Sequence, residues 1–529
     1  MTTDVEKEND DLAPDYTNTL LNQAFTPPPS STLLTPEQRK KIRQDSFHDV
    51  ATFYNENETS FKSFQKKSGI DLWFFNHLRT YLTYRNLSLN HNHTATKKSK
   101  KGKLKTLLQL FLEIVYILIT YKPIKNTSTE YLILSNAHDI VNGKNKRFGA
   151  LELAFESLFN RPLFDPKKEL SRKSFAPKNE INSDQLLVKS LFRPHTWAIL
   201  YRFIKSLKVL KKELSVQHSN TDSKHDIINA IFWKDQASFI IYYLRYLSFD
   251  AYFKKSSLKG ILMSDENSPQ QKAIQYAANN NQIKVFAFQH GNIHSLHPAY
   301  IYKHYTTLPL LPDITFTWGT YFTDLLQTEG AYPTRQLYTS GRISPLNEPN
   351  HLNPLVDTSN ALILYASQPH RDLTVRHTLT KDVFLAIKKL APRYTLIIRP
   401  HPSEKDDDYF HNIAKEVDFK DFIIDRDTDL KTHMDICTLL IVAFSTVGTE
   451  FISYYKPMIV LDYLHQDLIG WMKEGVGIPV VNQQDLVTKL SDSNLKIDKL
   501  AYDQFIENYF YKTDGKATER VKQAIYEHA

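Results

Sequence analysis

Arg399-Pro400-His401-Pro402 sets a guanidinium and an imidazole at the end of an apolar run, and further on Ser445-Thr446-Val447-Gly448-Thr449-Glu450 opens on two hydroxyls and closes on an acid. Two more clusters precede them: the paired carboxylates Asp265-Glu266, and His290 between Gln289 and Gly291. Together these residue types suit transfer of a group whose leaving partner is a phosphate. Negative charge growing on such a leaving group needs fixed donors, which Arg399, His401 and the backbone N–H groups of the Ser445 turn supply without a metal ion. An acceptor hydroxyl is a poor nucleophile, so a base must take its proton. Asp265 or Glu266 fits that role, and His290 fits it too, or would orient the donor.

These clusters follow runs that read as strands. Tyr394 to Ile398 is a β-branched apolar run stopped by Pro400, which cannot donate to a ladder, so it reads as a buried parallel strand with a polar tip. Leu439 to Phe444 is a second such run and leads into the Ser445 turn, which opens a helix. Leu258 to Met263 runs into Asp265-Glu266, with Ser268 as cap and Pro269 at the first position of the next helix; Val285 to Phe288 ends at Gln289-His290-Gly291. Further strands are expected at 131–135, 314–318, 336–339 (followed by Gly341-Arg342), 361–365 (followed by Ser367 to His370), 422–424, 457–461 and 477–481. In open α/β sheets ligands sit beyond the carboxyl ends of strands, so Gln289, Gly291, Gly341, Arg342, Ser367 and His370 are expected to line the same cleft.

The resulting fold class is α/β: two Rossmann-like domains facing a cleft, with an extra helical N-terminal region. The expected division is a mobile tail over 1–44, where Pro27 to Pro29 and the Glu6 to Asp11 run lack apolar periodicity. A first domain with helical insertions follows over 45–345, on the acceptor side, then a Pro- and Asn-rich linker over 346–355. A nucleotide-binding domain covers 356–498, and a helix over 499–529 crosses back. With 41% hydrophobic and 23% charged residues over 529 positions, the chain is an ordinary globular protein. A net charge of +8 favours anionic partners without choosing among them. The one cysteine, Cys437, cannot form an internal disulfide and reads as a buried small hydrophobe in a reduced, cytoplasmic setting; the N-terminus has no signal-peptide pattern. Lys97 to Lys103 leads into Leu104 to Thr120, too short and too charged to cross a bilayer but able to dock on an anionic membrane, or to serve as a core helix. His290, His294 and His297 lack a Cys or acid that would complete a zinc set, and Asp425-Arg426-Asp427 reads as a loop, so no metal is expected. Basic residues are not interleaved with aromatics as in a nucleic-acid module.

Two Rossmann-like domains, an Arg-Pro-His-Pro tip in the second and a Ser-Thr-x-Gly-Thr-Glu turn beyond it resemble the GT-B glycosyltransferases of bacterial surface polysaccharides. The likeness is to sialyltransferases with a His-Pro motif, capsular Kdo transferases and CDP-glycerol-type polyol-phosphate transferases, and it covers about Gly260 to Val481. It implies that His401, with Pro402, contacts the nucleotide phosphate or ribose, that Ser445 and Thr446, in the turn with Gly448, bind phosphate, and that Glu450 binds ribose. Asp265-Glu266 resembles the acidic pair that provides a base, although Asn267 stands where that pair is usually followed by glycine. The implied activity is metal-independent, inverting transfer of a CMP-linked, Kdo- or sialic-acid-like sugar to a hydroxyl of a polysaccharide or glycolipid, with a nucleotide sugar as co-substrate and no other cofactor, at the inner face of the plasma membrane. A non-hydrolysing sugar-nucleotide 2-epimerase, a CDP-polyol phosphotransferase and an idle GT-B-like scaffold remain alternatives.

Overall fold

The computed structural model describes residues 35–72, 78–89, 130–134, 140–141, 144–145, 147–154, 158–161, 183–216, 223–234, 236–343, 361–369, 373–391, 393–402, 404, 406–465, 467–492 and 495–529. The Lys97 to Thr120 stretch, the 346–355 linker and His370 lie outside them, as does most of the 1–44 stretch. Among the described residues fourteen strands run β1 (Tyr131–Leu134), β2 (Ile140–Val141), β3 (Lys144–Asn145), β4 (Leu158–Arg161), β5 (Gly260–Met263), β6 (Lys284–Phe288), β7 (Ile314–Thr317), β8 (Leu337–Thr339), β9 (Ala361–Ala366), β10 (Tyr394–Arg399), β11 (Phe422–Ile424), β12 (Leu439–Val442), β13 (Met458–Leu461) and β14 (Ile478–Val480). They form two six-stranded sheets in the orders β4-β1-β5-β6-β7-β8 and β11-β10-β9-β12-β13-β14, with β2 and β3 as a separate antiparallel pair. Every ladder in both large sheets is parallel.

The parallel arrangement explains the continuous apolar runs, because alternate side chains leave opposite faces of a strand and both faces are covered. On β1, Leu132 and Leu134 join the cluster of N-terminal helices, while Tyr131 and Ile133 meet Val521, Ala524 and Ile525 of the last helix. On β9, Leu362, Leu364 and Ala366 enter a cluster shared with the first domain, and Ile363 and Tyr365 enter one with the helix Leu373–Leu390. A fully buried aliphatic side chain contributes about 1.5–3 kcal/mol, so a strand needs a cover on each face to stay ordered.

That shared cluster joins the two halves. Trp318, Phe322 and Tyr332 of the first domain share it with Val442, Phe451 and Trp471 of the second and with Tyr502, Phe505, Tyr509 and Phe510 of the helix Lys499–Phe510. Tyr509 stacks on Tyr321 at 4.3 Å, and a Cβ on Gly319 would lie 2.2 Å from the Asn508 carbonyl oxygen, so glycine permits this approach. The final helix, Ala517–His528, lies on the first sheet, and Arg520 Nε donates to the Ser340 carbonyl at 2.7 Å. At the front, the first helix among the described residues is Pro36–Glu56, which begins inside the 1–44 stretch read as tail and runs on into the first domain. Thr35 accepts from the Gln38 N–H while the Gln38 side chain accepts from the Thr35 N–H, and Pro36 stands at the start.

Candidate functional site

Because β10 and β12 both pair with β9, in registers Arg399↔Ala366 and Val442↔Ala366, the segments that begin at Ser367, Pro400 and Ala443 leave one end of the sheet side by side. The turn after β10 is held from within. The His401 N–H donates to Glu404 Oε2 at 2.8 Å and the Glu404 N–H returns a bond to the His401 carbonyl at 2.8 Å. Ser367 Oγ also donates to Glu404 Oε2, at 2.5 Å, and Arg376 Nη2 meets Oε1 at 2.6 Å while its guanidinium lies 3.6 Å over the Tyr409 ring. His401 is half-buried and Pro402 exposed. Arg399 is turned to the neighbouring loop after β11: Nη1 donates to the Thr428 carbonyl. That loop is fixed by Asp425, whose Oδ1 accepts the Asp427 and Thr428 N–H groups at 3.1 and 3.0 Å and whose Oδ2 lies 3.0 Å from His433 Nε2. Asp425 is thus committed within a loop, and burial holds the His433 imidazole below its ordinary pKa.

Ser445 caps the short helix Thr446–Phe451, its Oγ accepting the Val447 N–H at 3.3 Å. Gly448 has a packing reason: a Cβ there would stand 2.6 Å from Trp471 Cη2. Trp471 Nε1 in turn donates to Thr449 Oγ1 at 3.1 Å. Beside this turn, beyond the ends of β12 and β13, opens a recess of about 620 Å³ including its mouth, with Phe444, Leu464, Leu468 and Met472 in its walls and Arg43 at its side.

On the first sheet β5 and β6 are neighbours, so Asp265 and His290 follow adjacent strand ends. Asp265 is half-buried and His290 exposed, but Glu266 is 1% exposed. Burial pushes the Glu266 carboxyl up to about 7, against the pull of its own backbone N–H and of Lys272, whose ammonium burial lowers to about 8. Lys272 Nζ donates to the Leu310 carbonyl at 2.9 Å and to Gln275 Oε1 at 3.0 Å. Both ends of the Gln289 amide are engaged, the oxygen accepting the Trp318 N–H at 2.8 Å and the nitrogen donating to the Gly291 carbonyl at 2.9 Å. Gly341 has φ +83° and abuts Arg520. His294 and His297 each accept a backbone N–H two residues on, and burial lowers both pKa values. Among the described residues no group of His, Cys, Asp and Glu is arranged to hold a metal ion, and no helix is long and apolar enough to cross a membrane.

The two sets of tips touch. Arg342 Nη2 lies 2.9 Å from Glu450 Oε1, and Thr449 Oγ1 donates to Asn292 Oδ1 at 2.9 Å. A Cβ on Gly291 would stand 3.7 Å from Thr446 Oγ1. Hence Arg342, Gly291, Thr446 and Glu450 meet across one cleft, with Ser367 and His401 on its second-domain side. Sequence reasoning passed over Glu404, Arg376, Asn292 and Trp471. Glu404 stands in the charged run Ser403 to Asp408, which has the composition of a solvated loop, and nothing local marks it out.

Residues 349–527 match the family model described as CDP-glycerol:poly(glycerophosphate) glycerophosphotransferase. No curated protein matches the chain. Among solved structures the chain is similar to Staphylococcus aureus MnaA in a UDP co-structure (13% identity, 76% of this chain and 96% of that one, TM-score 0.47) and to a Listeria monocytogenes protein described as a putative UDP-N-acetylglucosamine 2-epimerase (11%, 76% and 96%, 0.48). It is also similar to a variant of the wall teichoic acid polymerase TagF soaked with CDPG (12%, 81% and 98%, 0.44). Identities this low say nothing of substrate.

Proposed function

We propose that this protein transfers a polyol phosphate from a CDP-activated donor to a hydroxyl of a surface polymer. The observation that carries the reading is the family match over residues 349–527, a span that holds His401, Ser445, Thr446 and Glu450. It shifts the expectation from a CMP-linked sugar to a CDP-linked polyol, which was an alternative on the sequence alone. The chemistry balances simply. The acceptor oxygen forms a bond to the phosphorus that carries the polyol, the anhydride bond to the cytidine phosphate breaks, and CMP departs with the electron pair. His401 and the Ser445-Thr446 hydroxyls meet the charge that grows on the departing phosphate. On the first domain the acceptor proton goes to Asp265 or His290, because both reach the surface of the cleft side while Glu266 is enclosed. Arg342, paired with Glu450, supplies a cation at the seam where donor and acceptor meet.

Calorimetric titration with CMP, CDP, UDP and GDP tests the grip, and CMP release from CDP-glycerol in the presence of a poly(glycerophosphate) acceptor tests the transfer. A cytidine preference with acceptor-dependent CMP release is expected. A response to UDP alone would replace this reading with an epimerase or UDP-sugar enzyme, and silence to every nucleotide would leave an idle scaffold.

A further inference from the structure

We infer that Glu404 is the positioning residue of the nucleotide grip, acting through His401; this rests on the proposed function above. Glu404 is 5% exposed, and a buried carboxylate persists only where donors compensate it. Its donors come from three places that must agree for a ligand to be held: the His401 N–H after β10, the Ser367 hydroxyl after β9, and the Arg376 guanidinium on the helix Leu373–Leu390. One oxygen, Oε2, takes both strand-tip donors, so the separation of Ser367 and His401 is set by a single atom. The other oxygen is tied to Arg376, which Tyr409 of the helix Asp408–Glu416 supports from below. A charge-assisted bond to a backbone N–H fixes a turn more firmly than a neutral one, and the returning bond from the Glu404 N–H to the His401 carbonyl closes the ring. Glu404 itself never meets the ligand. Its job is to spare the His401 imidazole the search among loop conformations that an unbraced Pro-flanked turn would allow.

The test is a double-mutant cycle read as affinity for CDP. Glu404→Gln keeps the shape but loses the charge and one acceptor oxygen, and is expected to weaken CDP by about tenfold, the scale of one charged hydrogen bond. In a His401→Ala background the same change is expected to cost less than about twofold, because the group through which Glu404 acts is gone. Equal losses in the two backgrounds, or none in either, would overturn the inference and leave Glu404 a fold staple. Should Glu404→Gln fail to fold, Ser367→Ala removes one donor from the same oxygen, and its loss, of about threefold, must likewise vanish with His401→Ala. Should the unaltered protein bind no cytidine nucleotide, the functional reading fails by itself. The positioning claim is then read from the ring signals of His401 in histidine-labelled protein, which Glu404→Gln must move; an unmoved signal overturns it.

Discussion

The tips of the two sheets are built on opposite plans. After β10 and β11, side-chain carboxylates hold backbone: Glu404 fixes the His401 turn and Asp425 fixes the loop that receives Arg399, so His401 and Arg399 stay half-buried in set positions. After β5 and β6 the polar groups are drawn inward: Glu266 is enclosed, Gln289 is spent on Trp318 and Gly291, and the half-buried His294 and His297 each spend a ring nitrogen on a backbone N–H. A half that grips a fixed, charged ligand gains when its parts are already ordered, since every rotamer frozen in advance is entropy not lost on binding. A half that receives a long polymer hydroxyl needs less, namely a base at the surface and a wall behind it.

The sharpest way to break this contrast is at its most ordered point. His401→Ala is expected to lower CMP release by roughly 10²–10³-fold, as when one preset donor to a developing anion is removed. Asp265→Asn and Glu266→Gln should divide: the first lowers turnover with CDP affinity unchanged, and the second leaves turnover within a few-fold. Equal losses from the two would mean that the enclosed carboxyl reaches the reaction and that the inward plan is misread.

The second-domain turn has its own packing demand. Gly448→Ala forces a Cβ to 2.6 Å from the Trp471 ring, and Met458 Sδ at 3.0 Å blocks the other side. A loss of about 1–3 kcal/mol by chemical denaturation is expected, the usual cost of overfilling a core. Trp471→Leu in the same chain should return part of it. If Gly448→Ala instead keeps full stability and loses only nucleotide affinity, the glycine belongs to the ligand and not to the indole.

How far all this could be read from residues alone follows from where each signal is written. The strands were legible because burial on both faces demands unbroken apolar runs, as in Leu439 to Val442, and two successive parallel sheets follow from the alternation of such runs with helices. β4 was not, since Leu158 to Arg161 carries no such run and owes its place to β1 beside it. His401 and Ser445 announced themselves because proline and a capping hydroxyl mark strand ends locally. The groups that brace them did not: Trp471 meets Gly448 only through the fold, and Glu404 is one acid among several in a charged run. Gln289 and Gly341 sat at the expected tips, but the tip location cannot distinguish a side chain facing a ligand from one consumed by a neighbour, and here Gln289 serves Trp318 while Gly341 supplies a left-handed turn against Arg520.

The inward plan of the first domain should also show in stability against pH. The Glu266 carboxyl has a folded pKa of about 7 against an ordinary 4.5, so the native state binds its proton more tightly than the unfolded chain does. Its contribution is then complete below about 4.5 and falls as pH rises towards 7. Glu266→Gln cannot titrate and should abolish or reverse that fall between pH 5 and 7.5. An unchanged fall in the variant would show that the carboxyl is already ionised in its pocket and that Lys272 compensates it fully.

The smallest expected effect lies at the seam between the two plans. Arg342 and Glu450 are a charged pair that spans it, with side chains 34% and 12% exposed, and burial raises the Glu450 carboxyl against the pull of Arg342. A pair open on one side is worth little in stability, so the coupling between Arg342→Met and Glu450→Gln is expected to be only about 1 kcal/mol in a denaturation cycle. If both groups also meet the nucleotide, the same cycle read as CDP affinity should give a larger coupling than the one read as stability, because the ligand then binds to a pair already in place. Couplings of equal size would confine the pair to holding the domains together, and the donor half would have to work with His401 and the Ser445 turn alone.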